Sequence, residues 1–230
     1  MTGYNSEFFF NFRTNITMYQ FMHSIINKAI EINHKVIFIE PYRDALEDHD
    51  FQIPNNLEKF REFQLRNLVQ FYYTEFENYI YKCIREILIN SPGKMSKSQI
   101  SIGKIISYNY DIKEIIEFKA EKVVEDLLRN PIKKIFKAIN EDYKIDHYIT
   151  EEELNKLSKF YQIRNLFAHR SGIIDKKFVD NFGEDKYKEG EFLKLNSIEI
   201  NDYCNHVERL IDKFDHELGI AYPKLVSIVP

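Results

Sequence analysis

Between Leu57 and Ile89 the apolar positions Leu57, Phe60, Leu68, Phe71, Tyr72, Phe76, Tyr79, Ile80, Cys83, Ile84 and Ile87 recur at spacings of three and four. One wide stripe at helical period predicts a long helix, and Ser91-Pro92-Gly93 predicts its end. A helix of that length requires partners of similar length. The period returns through Ile115, Ile116, Val123, Val124 and Leu127, which predicts a helix over residues 112–128. Asn130-Pro131 breaks it, because proline offers no backbone N–H, and Ile132, Ile135, Phe136 and Ile139 continue in a second piece. Thr150-Glu151-Glu152-Glu153 has the order of a capping box, so a helix starts there and carries Leu154, Leu157, Phe160, Tyr161, Phe167 and Ala168. A final helix is predicted from Asn196 or Ser197, with Glu199 placed for a second capping box and Gly219 as its stop.

The intervening stretches lack this period. Lys94 to Tyr110 reads as a polar connector, and Asp175 to Lys194 reads as a loop with a small hairpin around Lys188-Glu189-Gly190-Glu191. Near the N-terminus, Tyr19, Met22, Ile25, Ile26, Ala29 and Ile30 have helical spacing and are followed by a charged, looped tract from Pro41 to Pro54. The expected organisation is an N-terminal helical arm or extension over residues 1–56 and a helical domain over 57–230. The fold class is all-α: a bundle of about five helices, with a small hairpin or loop insertion after the helix that the capping box opens.

Composition narrows the chemistry. Of 230 residues, 44% are hydrophobic and 30% charged, the balance of a globular chain rather than a disordered one. With 32 Lys+Arg against 36 Asp+Glu the net charge is -4, so any nucleic-acid surface must be local. Phe8-Phe9-Phe10 is interrupted too early for a signal peptide or a membrane span. Cys83 and Cys204 each fall in a helical pattern and are expected as buried, reduced thiols, which points to the cytoplasm. The seven histidines show no paired metal-ligand spacing, and no glycine-rich phosphate loop is present, so neither a metal nor another cofactor is expected.

The chemistry concentrates in Tyr161-Gln162-Ile163-Arg164-Asn165-Leu166-Phe167-Ala168-His169-Arg170-Ser171-Gly172. Asn165 and His169 are four apart on a helix and share a face, whereas Arg164 reaches in from the flank, about 140° around the axis from His169. Gly172 is where a left-handed C-terminal cap is expected, which puts His169 in the last turn. The Arg164-Asn165-x-x-x-His169 order resembles a signature of the HEPN families, many of them metal-independent ribonucleases, and so implies RNA cleavage. Without a metal, that reaction needs a group that takes a proton from the 2′-hydroxyl and a charge that stabilises the phosphorane. Histidine serves for the first near neutral pH, and arginine, with its planar donor fork, for the second. His169, Arg164 and, as a positioning amide, Asn165 are therefore the candidate catalytic residues. Arg170, Lys176 and Lys177 follow closely and are candidates for holding flanking phosphates.

Arg164-Asn165-x-x-x-His169 resembles the Arg-x4-6-His signature of the HEPN families, whose members are helical bundles and include many metal-independent ribonucleases. The similarity in layout covers roughly Leu57 to Gly219. It implies an RNA substrate, a toxin or antiphage-defence role, a homodimer that brings two motifs together across a cleft, and a cognate antitoxin or regulatory partner. Ser171 stands where some toxins of the family carry a modified tyrosine. Arg66-Asn67-Leu68-Val69-Gln70-Phe71 opens in the same way but has phenylalanine in the histidine position, and no function is expected of it. The alternative is a non-catalytic helical interaction module or antitoxin-like partner that uses the arm over residues 1–56.

Overall fold

In the computed structural model the residues described are Thr14, Thr17, 53–96 and 98–226. The helix expected between residues 16 and 39 lies outside them, Thr17 apart, as does the looped tract after it up to residue 52; its last two residues, Ile53 and Pro54, are helical and open the next helix. The described chain is an all-α bundle, with no strand among the described residues.

Its central rod is α1 (Ile53–Asn90), 38 residues long, or about 57 Å at the usual rise. Pro54 lies in its first turn, where a missing N–H removes no helical bond. After a 3-10 turn at Pro92–Met95 come α2 (Ile102–Ser107), α3 (Ile112–Leu128), α4 (Ile132–Glu141), α5 (Glu151–Arg170), α6 (Lys176–Phe182), α7 (Ser197–Ala221) and α8 (Pro223–Val226). α1 packs against α3, α5 and α7, while α4 covers one side of α5. This is how so long an apolar stripe is buried: Val69, Tyr72, Ile80, Ile84, Ile87 and Leu88 of α1 are all but inaccessible.

The helix boundaries follow local capping. Asp111 caps α3 by accepting the N–H groups of Lys113 and Glu114. The capping box of α5 is complete: Thr150 Oγ1 accepts from Glu153 N at 3.2 Å and Glu153 Oε2 accepts from Thr150 N at 2.8 Å. The loop into that helix is pinned by buried His147. Its Nδ1 accepts Ile149 N–H at 3.1 Å, so the ring proton sits on Nε2 and is donated to the Phe136 carbonyl, also at 3.1 Å.

Where α1, α5 and α7 meet, Phe160 is wholly buried, stacks on Tyr203 at 5.2 Å and meets Tyr73 edge-on at 6.1 Å. Burying one such ring contributes about 1.5–3 kcal/mol. Nearby, Tyr79 donates to Asp215 Oδ1 at 3.0 Å and joins α1 to α7. Cys83 and Cys204 are buried free thiols, and burial raises the pKa of both.

Three local expectations change. The connector at 94–110 contains the short helix α2, with Ser101 as its cap. The insertion after α5 is built around another short helix, α6. No hairpin forms there; residues 190–193 fold back on 172–174 through a single bridge between Ile173 and Phe192. Finally, α7 passes through Gly219 to Ala221, and Glu199 makes no second capping box because its carboxylate turns to Lys159 at 3.2 Å and Tyr203 at 3.3 Å.

Candidate functional site

Arg164, Asn165 and His169 all lie in the last two turns of α5, where the chain reaches the edge of the bundle. Arg164 is half-buried against α1. Its Nη2 donates to Glu77 Oε2 at 3.0 Å, its Nη1 donates to Asn165 Oδ1 at 3.0 Å, and its Cζ stands 5.3 Å from the centroid of the Tyr73 ring. Two of the five guanidinium N–H groups are thus used in holding its plane. Burial pushes the Glu77 carboxyl upward, and the Arg164 charge beside it pulls back down. Tyr73 is likewise shifted upward by burial, with the Glu77 charge adding to the shift.

His169 is exposed in the final turn and has no hydrogen-bond partner among the described residues. Its neighbour on the same face is Asn165, one turn back, whose carbonyl oxygen is already oriented by Arg164. The helix then ends abruptly: Ser171, at φ 53°, and Gly172, at φ 86°, are both left-handed, and both N–H groups reach the Leu166 carbonyl. The expected turn at Gly172 is present, but it begins one residue earlier, at Ser171.

The three flanking cations are not equivalent. Arg170 Nε lies 3.4 Å from Asp175 Oδ2, and Asp175 is also the N-cap of α6. Lys176 and Lys177 are exposed in the first turn of α6. Lys177 lines a groove of about 1010 Å3 bounded by α4, α5, α6 and α7, and Asn165 lines it too. Lys176, Arg170, Arg164 and His169 are not among its lining residues, so the structure joins Asn165 and Lys177 through this groove and leaves His169 outside it, one turn along α5 from Asn165.

Glu77 and Tyr73 are site residues whose roles the sequence did not establish. Glu77 interrupts the apolar stripe of α1, and its pairing with Arg164, 87 residues away, has no signal in local spacing. The Arg66 control behaves as a structural residue. It pairs with Glu62 at 3.5 Å and lies over the rings of Phe192 and Phe167, at 4.4 and 5.6 Å.

No group of three or more histidine, cysteine or carboxylate side chains suited to a metal occurs among the described residues. No helix among them is long and apolar enough to cross a membrane. Compared with family models, curated proteins and solved structures, the chain matches none.

Proposed function

We propose that this protein is a metal-independent endoribonuclease of HEPN type, acting in the cytoplasm as a toxin or antiphage-defence effector. The reading rests on one observation: the Arg164 guanidinium and the Asn165 amide are joined at 3.0 Å, and His169 is exposed one turn further along the Asn165 face. In the reaction, the 2′-oxygen attacks the adjacent phosphorus while an imidazole takes its proton. The 5′-oxygen leaves with a proton from a second acid, giving a 2′,3′-cyclic phosphate and a 5′-hydroxyl. Arg164 neutralises the phosphorane oxygens, and Asn165 orients the imidazole or a substrate oxygen. One chain supplies one histidine at this place, so a second copy of the chain brings the second, and the working unit is a homodimer. A cognate antitoxin or regulator then acts by covering the site or separating the copies.

The test is cleavage of labelled RNA in the presence of a chelator, with end-group analysis. Cutting that persists without divalent metal, leaves cyclic phosphate ends and is lost in His169→Ala and Arg164→Ala is the expected result. Full activity in folded His169→Ala removes the proposal.

A second reading is a non-catalytic interaction module. It is favoured by the Glu77–Arg164 ion pair, which a purely structural arginine would also make, and by the exposed apolar side chains of Ile102, Ile106 and Ile112. Growth under overexpression separates the two: an enzyme is toxic and loses toxicity with His169→Ala, whereas a passive module is insensitive to that change.

A further inference from the structure

The groove beside the motif is lined by amides, rings and charges of both signs. At about 1010 Å3 it is at the upper end of the range for small-molecule sites, about 300–1,000 Å3, with room for more than one ring. Asn155, Ser158, Gln162 and Asn165 follow at three and four along one face of α5, and His169 is the next step in that register. From the opposite side, Asn181 of α6 donates to Gln162 Oε1 at 3.2 Å. Half-buried Tyr161 and Phe182 supply ring surface.

The groove carries charges of both signs. Lys156 is paired with Asp202 and Lys159 with Glu199, so these offer little net field. Three further cations that line it, Arg129, Lys133 and Lys177, are exposed, as is one further carboxylate, Glu152. Arg129 and Lys133 are paired with exposed carboxylates, which a phosphate replaces at little cost because such pairs are weak. Lys177 has no ion-pair partner among the described residues. A groove lined by amides and half-buried rings, with exposed cations outnumbering its one further exposed carboxylate, suits a strand whose bases meet the amides and rings while its phosphates meet the cations.

We propose that this groove is the base-recognition subsite of the nuclease, taking unpaired nucleotides that flank the bond presented to His169, with the Gln162 and Asn181 amides reading the edge of a base. The proposal rests on the function put forward above. An amide offers both a donor and acceptors, and the two that face each other here exchange their mutual bond for bonds to a base without leaving a polar group unsatisfied. The bases must be unpaired, since pairing covers the edge the amides would read and an A-form duplex does not admit side chains to its deep groove.

The experiment measures binding rather than cleavage. A fluorescent single-stranded oligoribonucleotide of mixed sequence carries 2′-O-methyl groups, so no 2′-hydroxyl can attack, and it is titrated with the full chain. The same strand annealed to its complement is the comparison. Gln162→Ala/Asn181→Ala is expected to weaken single-strand binding about tenfold while its melting temperature stays near that of the parent, and Gln162→Glu is expected to weaken it at least as much by repelling phosphate. Unchanged affinity in both variants overturns the proposal, as does equally tight binding of the duplex or no binding of the single strand by the parent. If groove variants bind poorly while His169→Ala still cuts RNA, the nuclease reading falls and the subsite stands. The reverse pattern removes the subsite alone.

Discussion

The Arg164 guanidinium and the Glu77 carboxylate meet at 3.0 Å, although 87 residues separate them. The side chains are 22% and 26% exposed, so each is taken largely out of water, and neither charge is easily left alone. Glu77→Ala should therefore cost about 1–3 kcal/mol, because it orphans a cation that cannot shed its proton. Glu77→Gln keeps an acceptor oxygen and should cost less. Urea unfolding of Glu77→Ala, Arg164→Ala and the double variant checks this, with the double variant losing less than the sum of the two. Additivity within about 0.5 kcal/mol would mean that the pair is not coupled.

Stability near neutral pH should carry the mark of His206. This buried ring lies against the start of α5, where its Nε2 donates to the Glu153 carbonyl at 2.9 Å. Burial lowers its pKa; the Glu153 hydrogen bond and charge oppose the shift, and Lys156 and Arg209 add to it. In the unfolded chain a histidine takes a proton near pH 6.5, whereas in the folded one it does so at lower pH. The unfolded state thus binds more protons in that window, and stability falls as pH drops from about 6.5 toward the folded value. Thermal melts between about pH 7.5 and 5 should fall less steeply for His206→Gln than for the parent; identical slopes would assign the acid sensitivity elsewhere.

The capping box gives a prediction that separates stability from chemistry. Thr150 and Glu153 satisfy two of the N–H groups that open α5, and Glu153 also holds Lys213 at 2.7 Å, tying that end of the helix to α7. Thr150→Ala should lower stability by about 0.5–2 kcal/mol. For the proposed ribonuclease activity, the cut ends and the rate should be unchanged at temperatures where the variant is folded, because the motif lies at the far end of the same helix. A rate loss without a stability loss would contradict this division.

Much of this is legible in the sequence, for reasons that differ between elements. The α3 limits at 112 and 128 and the α5 start at Thr150 coincide with expectation because Asp111, Pro131 and the capping box act within a few residues of themselves. The helices α2 and α6 escaped because six and seven residues are too few for a hydrophobic period to emerge, although Ser101 and Asp175 were in plain view as caps. The Asn165–His169 adjacency follows from helical spacing alone. The Glu77–Arg164 and Gln162–Asn181 contacts depend on how helices pack side by side, and no spacing within one segment carries that information.

The end of α5 allows the sharpest test, since two adjacent left-handed residues there should respond in opposite directions. At Ser171, φ 53° places a side chain where L-residues are strained, so Ser171→Gly should stabilise by up to about 1 kcal/mol. At Gly172, φ is 86° and an added Cβ would stand 2.6 Å from Phe192 Cε2 and 2.7 Å from Phe167 Cε1. Both rings are held, since they meet each other at 6.3 Å and lie under Arg66, so neither can retreat freely. Gly172→Ala should then cost about 2–4 kcal/mol, combining backbone strain with overpacking. Phe192→Ala makes room at that spot, and adding it to Gly172→Ala should cost less than the two single changes summed. Denaturant unfolding of the four chains decides the matter: a Gly172→Ala loss that Phe192→Ala leaves unrelieved would place the strain in the backbone or against Phe167 and not in the Phe192 contact.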